Sequence, residues 1–317
     1  LLASLALLML TLIATGLIQV WHIFIITLAT GLVRIFQMPT AQSLAVDSVS
    51  QNRIPNAVAL INAGMNIALV VGPLLGGILF DLFGPDGAYV LVAALYALSA
   101  LAALLIGSTR AGTSQVRESV FSTVIQGLKY VKGQQLLWAA LLVAVIINIT
   151  GFSFHTTLMP IFARDELGQD SVGLGLLISS FGIGALMGSM IWASIPNLRH
   201  AGLLCILAVV GWHGTMIAFA ASTNFYLSVA ILVVTGMMYS STLVLILTVL
   251  MENARPEFRG RIMGLRTLAI YAHAFGSLGA GAMAGVVGAP MTANIIGISG
   301  IAMVVVLAFA VPKFRRF

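Results

Sequence analysis

A few polar side chains interrupt the long apolar runs of this chain, and they are the residues whose chemistry could matter. Arg34 and Gln37 stand three apart in one run, and Asn62 and Asn66 stand four apart in the next. Asn148 and His155 share another run, Tyr239 and Thr242 another, and Tyr271 and His273 a fifth. Such groups donate and accept hydrogen bonds, one carries a fixed charge, and His273 could exchange a proton near neutral pH if hydrated. This is chemistry for holding and orienting a solute. An enzyme would need paired acids, a nucleophile with its base, or a metal set at one depth. The five histidines (His22, His155, His200, His213 and His273) fall on separate segments, and no HExxH is present. No catalytic residue, metal site or cofactor is therefore expected. No GxxxxGK[ST] loop occurs, so any energy source must be an ion gradient or another protein.

The elements that position these residues are membrane helices. The 317 residues are 60% hydrophobic and 8% charged, with a mean hydropathy of +1.09. Runs of about 20 apolar residues predict an all-α membrane protein. Ten spans are expected, at about 1–19, 22–45, 57–80, 87–107, 136–162, 172–196, 201–221, 225–250, 263–287 and 290–311. Arg34 then lies about 20 Å from the outer end of its span. A central arginine costs about 2.5–3.5 kcal/mol on insertion scales. It is either a cavity cation, for an anionic substrate or for proton coupling, or a structural arginine bonded to carbonyls. Asn62 and Asn66 share one helical face and either present amides to a substrate or bond between helices. His213 is expected to pack. No Asp or Glu lies in the middle of any span.

The net charge of +6 does not indicate nucleic acid, because the basic residues cluster in alternate loops. Arg53, then Arg110, Arg117, Lys129 and Lys132, then Arg199, then Arg255, Arg259, Arg261 and Arg266, then Lys313, Arg315 and Arg316 fall on one side. Asp81, Asp86, Asp165, Glu166 and Asp170 fall on the other. The positive-inside rule makes the basic side, and both termini, cytoplasmic. The partners expected are the lipid bilayer, a small-molecule substrate and protons, with no nucleic acid, and the protein is expected to be a monomer. Cys205, the single cysteine, excludes an internal disulfide.

A faint repeat organises the spans. Gly31 opens an apolar stretch ending in Asp47, and Gly236 opens one ending in Glu252, both at an offset of 205 residues. The run Gly72-Pro73-Leu74-Leu75-Gly76-Gly77, followed by Gly84, is echoed at Gly276–Gly281 and Gly288, at an offset of 204. Spans one to four pair with seven to ten, and five and six have no partners. The repeat thus predicts that roughly 70 residues, two spans, precede Leu1 in a twelve-span parent. The expected organisation is four spans of an N-terminal bundle at 1–107, a cytoplasmic linker at 108–134, and a six-helix C-terminal bundle at 135–317. In the linker, Val120, Phe121, Val124, Ile125, Leu128 and Val131 recur at helical spacing, which predicts a short amphipathic helix. Asp47 with Arg53, and Glu252 with Arg255, Arg259 and Arg261, occupy equivalent ends and could pair as a cytoplasmic gate. Gly72, Pro73, Gly76 and Gly77 could bend the third span.

These residues resemble the major facilitator superfamily. The glycine-proline run of the third span is similar to that of its proton-coupled drug exporters. Pro256-Glu257-Phe258-Arg259-Gly260-Arg261-Ile262-Met263-Gly264 resembles the RGRxMG loop of the branch of siderophore and macrolide exporters. Gln51–Ala57 and Phe162–Gly168 also look like that branch. Arg34-x-x-Gln37 partly resembles an antiporter arginine motif, with Met38 where that motif has glycine. The resemblance implies a two-bundle, alternating-access secondary exporter of small amphiphilic compounds in a bacterial inner membrane. It also implies that spans two, three, five, eight and nine face the cavity. A non-transporting sensor or scaffold on the same fold is the alternative.

Overall fold

A computed structural model describes residues 1–50, 53–105, 120–195 and 200–317; several side chains of its second to fourth helices, those of Asp47 and Asn62 among them, lie outside the described set. Residues 108–119 of the expected linker, Gln51-Asn52 and Arg199 also lie outside it. The described residues form helices joined by short turns, with no strand among them. The chain divides into two compact units, Leu1–Gln115 and Val116–Phe317.

The first unit holds α1 (Leu2–Ala14), α2 (Val20–Asp47) and α3 (Ile54–Leu105). α3 is two arms, because Gly84 takes φ 68° and ψ −168° inside it. That left-handed φ is open to glycine at little cost, and the helix restarts at Pro85, whose fixed φ and missing N–H suit a first turn. Helical dihedrals continue through Pro73. The chain thus breaks at Gly84, where backbone freedom permits it.

The second unit begins with α4 (Val120–Lys132) and α5 (Gln135–Ile147). α5 continues as π-helical turns at Asn148–Phe152 and Phe154–Leu158, the short α6 (Met159–Ile161), and a last π turn at Phe162–Glu166. The widening has local causes. Pro160 has no N–H to give, and the Thr150 and Ser153 hydroxyls bond back to the carbonyls of Ile146 (2.7 Å) and Ile149 (2.8 Å). Next come α7 (Ser171–Ala193), α8 (Ala201–Ala220) and α9 (Phe225–Asn253). α10 (Arg259–Tyr271) and α11 (His273–Val287) follow, then α12 (Ala289–Ala310) and α13 (Pro312–Arg316). Asp170 caps α7 through the Gly173 amide at 2.8 Å, and Asn224 caps α9 through that of Leu227 at 3.1 Å.

Seven stretches of the described residues are long and apolar enough to cross a membrane, against ten expected. The longest, Ala63–Leu105, contains the Gly84 break, and Leu2–Ala14 and Val20–Arg34 are shorter apolar helices. Helices of this kind gain little from the hydrophobic effect in lipid and associate through close packing of small residues. The second unit follows that rule. A Cβ on Gly184 or Gly236 would collide with backbone of the facing helix, at Val233 and Phe181 respectively. α7 and α9 therefore touch main chain to main chain.

The repeat is visible in the backbone. α2 and α9 start at Val20 and Phe225, 205 residues apart. Gly84 and Gly288 both take a left-handed φ (68° and 81°) with extended ψ, and each separates two apolar helices. The glycines differ in their company. Gly236 and Gly276 meet backbone of α7 and of the Asn148–Phe152 turn, whereas nothing lies within 4 Å of a Cβ on Gly31 or Gly72.

Candidate functional site

The most developed polar and aromatic cluster lies inside the second unit, where the π-helical turns of α5 face α7, α8, α9 and α11. Trp212 of α8 is fully buried and donates its indole N–H to His155 Nε2 at 3.3 Å. The His155 ring lies 4.0 Å from that of Phe181 of α7. Tyr239 of α9 meets Trp212 edge to face at 5.1 Å and Phe181 at 5.1 Å. Phe152 extends the group to His273, edge to face at 5.5 Å. His155, Tyr239, Phe152 and His273 are all half-buried, so the packed aromatic core presents a partly open edge. Along that edge, the Thr156 and Ser277 hydroxyls are hydrogen-bonded at 3.0 Å.

This arrangement follows from local structure. Phe152 and His155 are three residues apart, hence neighbours on one helical face, and reach the same cluster. α11 starts at His273 directly after α10, and the His273 Nδ1 approaches the Ile270 carbonyl at 2.8 Å, which holds the ring against the last turn of α10. A wall of aromatic faces, two imidazoles and two hydroxyls can bind an amphiphilic or cationic solute by stacking, cation–π attraction and a few hydrogen bonds.

Of the expected site residues, His155, Tyr239 and His273 are brought together here. Asn148 and Thr242 instead bond to carbonyls of their own helices, Ala144 at 2.8 Å and Met238 at 2.9 Å. Tyr271 is exposed. Trp212, Phe181 and Phe152 belong to the wall but were not among the expected residues. Arg266 was also missed. It is half-buried on α10 and within electrostatic reach of Tyr239. The repeat could have pointed to it. An offset of 205 superposes Arg34 on Tyr239, and one of 204 superposes Asn62 on Arg266.

His213, expected to pack, is fully buried and lies 2.8 Å from Thr150 Oγ1 through Nε2 and 2.8 Å from the Val209 carbonyl through Nδ1. Its ring fits over Gly300, where no Cβ could stand.

In the first unit, Arg34 donates from Nη2 to the Tyr96 hydroxyl at 2.9 Å. The pair lines a cavity of about 230 Å³ with Thr27, Thr30 and Tyr89. Gln37 lines a larger groove of about 610 Å³ beside Thr40 and Ser99. Asn66 is half-buried on α3.

At the expected gate, the ion pair recorded among the described residues is Arg164–Asp165, at 2.6 Å, elsewhere in the chain. Glu252 is exposed. Arg259 donates to the Met251 carbonyl at 3.3 Å, and the Arg255 amide donates to the Tyr130 hydroxyl at 3.2 Å. Tyr130 of α4 stacks on Phe258 at 4.1 Å, and the Arg261 guanidinium lies over the same Phe258 ring at 5.2 Å. Arg53 is exposed, and the Asp47 side chain lies outside the described residues.

Comparison with known proteins places these features in a family. The chain is 24% identical over 269 residues to the multidrug efflux pump Tap of Mycolicibacterium fortuitum, covering 83% of this chain and 64% of that protein. It is 25% identical over 228 residues to Tap of Mycobacterium tuberculosis, covering 70% and 53%. It is 23% identical over 247 residues to the multidrug resistance protein MdtG of Proteus mirabilis, covering 77% and 60%. The chain thus spans less than two thirds of the length of these relatives. The family model described as "Transmembrane secretion effector" matches residues 1–316. With its membrane helices and two-fold repeat, the chain belongs to this transporter family of the major facilitator superfamily, and not to an enzyme family.

Proposed function

We propose that the protein is a secondary exporter of small amphiphilic compounds, works by alternating access and is driven by a proton gradient. The observation that carries this reading is the wall formed by His155, Phe181, Trp212 and Tyr239, an aromatic surface with polar edges among membrane helices. The backbone repeat supports it, since two related bundles rocking about a midplane site is how parallel repeats serve transport. The names of the relatives, multidrug efflux pumps, point to the same substrate class. In this reading the protein acts as a monomer in a bacterial cell membrane, with both termini cytoplasmic. The bundles are 1–107 and 135–317, and 108–134 joins them. Arg34, bonded to Tyr96, is the cation of the first bundle, with Gln37 and Asn66 as further cavity residues of that bundle; Arg266 is the cation of the second. Asp47 and Glu252, with their neighbouring arginines, bias the cytoplasmic gate between its states.

The test is efflux of a fluorescent amphiphilic cation from vesicles that contain the intact protein. Loss of the dye gradient on adding a protonophore is expected. Saturable binding with no gradient-dependent movement would favour a sensor and overturn the proposal.

A further inference from the structure

α2 opens on a cap that contains a histidine. Gln19 precedes the first helical residue, and its carbonyl accepts the first bonds of the helix, from the His22 amide at 2.9 Å and the Ile23 amide at 3.4 Å. The Gln19 N–H turns back to His22 and donates to Nδ1 at 3.0 Å. In a capping box that place belongs to a glutamate or glutamine three residues into the helix. Here an imidazole fills it. The Gln19 side chain is engaged elsewhere, since its Oε1 accepts from the Trp21 indole N–H at 2.5 Å. The Trp21 ring lies against that of His22, with 3.6 Å between centroids. The three residues close on one another: Gln19 holds Trp21, Trp21 covers His22, and His22 holds Gln19.

The bond fixes the state of the ring. A backbone N–H can only donate, so His22 Nδ1 carries no hydrogen and the ring is neutral. A second proton on the ring would set N–H against N–H. It would also put a positive charge at a helix N-terminus, where the unsatisfied amides already carry positive partial charge. Both effects oppose the cap. α2 packs against α1 and α3. α1 has no ionisable side chain, and the ionisable groups of α3 are Asp81, Asp86, Tyr89 and Tyr96. None of these is bonded to His22 among the described residues. The next charge on α2 is Arg34, twelve residues and about 18 Å further along. His22 is half-buried and Trp21 is exposed, so water reaches the ring.

We propose that the start of α2 is a proton-operated cap, closed while His22 is neutral and released when His22 takes up a proton. In the topology proposed above, this end of α2 faces outward, the side that a proton gradient acidifies. Acid outside then loosens the outer turn of the helix that carries Arg34. The cap itself rests on geometry and not on the transport reading, so a protein that moves no substrate would still show it.

The intact protein is measured in micelles from about pH 8 to about pH 5, the range in which imidazoles change charge. The Trp21 signal is the fluorescence lost on Trp21→Phe, taken in the wild-type and in the His22→Gln background. A protonated imidazole against an indole quenches its emission. The wild-type signal is expected to fall along a one-proton titration curve. His22→Gln supplies an acceptor that does not titrate, and its signal is expected to stay flat. Hydrogen exchange of the Gln19 and Ile23 amides is the second readout. The ratio of wild-type to His22→Gln rates at each pH cancels the intrinsic pH dependence of exchange. That ratio is expected to rise about fivefold or more from the alkaline to the acid end, the factor of one lost cap. A ratio that does not change with pH would overturn the proposal even if the fluorescence titrates. So would equal quenching in the His22→Gln background. A flat wild-type Trp21 signal would overturn it without any His22 variant, which keeps the test valid if His22→Gln misfolds. Micelles expose both ends of the chain to one pH, so each of these failures strikes the cap and not the topology or the transport reading.

Discussion

Substituting alanine for Gly236 tests how the second unit is held together. A Cβ there would collide with the Phe181 carbonyl and lie 2.7 Å from the Ala185 amide, both on α7. Neither neighbour is a flexible side-chain end, so relief requires the helices to separate. Ordinary contact begins near 3.4 Å, so the Ala185 contact alone requires α7 and α9 to part by about 0.7 Å, and the closer Phe181 carbonyl requires more. Overpacking of this kind costs about 1–3 kcal/mol, and the upper end applies because two backbones are involved. For a unit of about 200 residues each kcal/mol lowers Tm by roughly 2–4 °C, giving an expected fall of about 5–10 °C. The repeat supplies the control: nothing lies within 4 Å of a Cβ on Gly31, so Gly31→Ala in this same chain should change Tm by about a degree or less. Cys205 is the single cysteine and is fully buried, so a thiol-reactive dye in a thermal ramp reports opening of this unit, and loss of helical circular dichroism reports that of the unit holding Gly31. An unchanged Tm for Gly236→Ala, or a larger fall for Gly31→Ala, would refute the argument from backbone contact.

Thr150→Val should leave His213 Nε2 without its partner at 2.8 Å, inside a span, and destabilise the unit by about 1–3 kcal/mol. Thr150→Ser should restore most of the loss in the same thermal ramp, and a Val variant as stable as wild type would show that the bond contributes nothing. At the cytoplasmic ends, Asp47→Asn with Glu252→Gln is expected to change the fraction of molecules open to the cytoplasm by a few-fold, since surface pairs contribute about 0–1 kcal/mol each. Accessibility of a cysteine introduced at the cytoplasmic mouth of the site measures that fraction, and an unchanged value would remove these carboxylates from gating.

Much of the architecture is legible in the sequence because it rests on glycine chemistry and apolar length. Gly84 and Gly288 mark breaks in both halves since only a residue without Cβ takes their backbone conformation cheaply. The offset between Gly31 and Gly236 reappears in the starts of α2 and α9. The amphipathic spacing around Leu128 reappears as α4. The site is less legible. Trp212 and Phe181 are apolar residues in apolar runs, and composition cannot separate a ring that faces lipid from one that faces an imidazole. The π turns of α5 leave no trace in periodicity, although Pro160 and the hydroxyls at Thr150, Ser153 and Thr156 offered a chemical hint. The left-handed φ of Gly84 is not compatible with a continuous helix, whereas helical dihedrals continue through Pro73.

The claim at the centre of this account is that the wall of His155, Phe181, Trp212 and Tyr239 receives the solute. The most direct measurement is covalent capture of a photoreactive amphiphilic cation by the intact protein in membranes, followed by peptide mapping. The account predicts adducts on the peptides that carry His155 and Tyr239, suppressed by excess unlabelled compound and reduced at least severalfold by Tyr239→Ala. Adducts confined to exposed faces of other helices, or labelling that excess compound does not suppress, would contradict it.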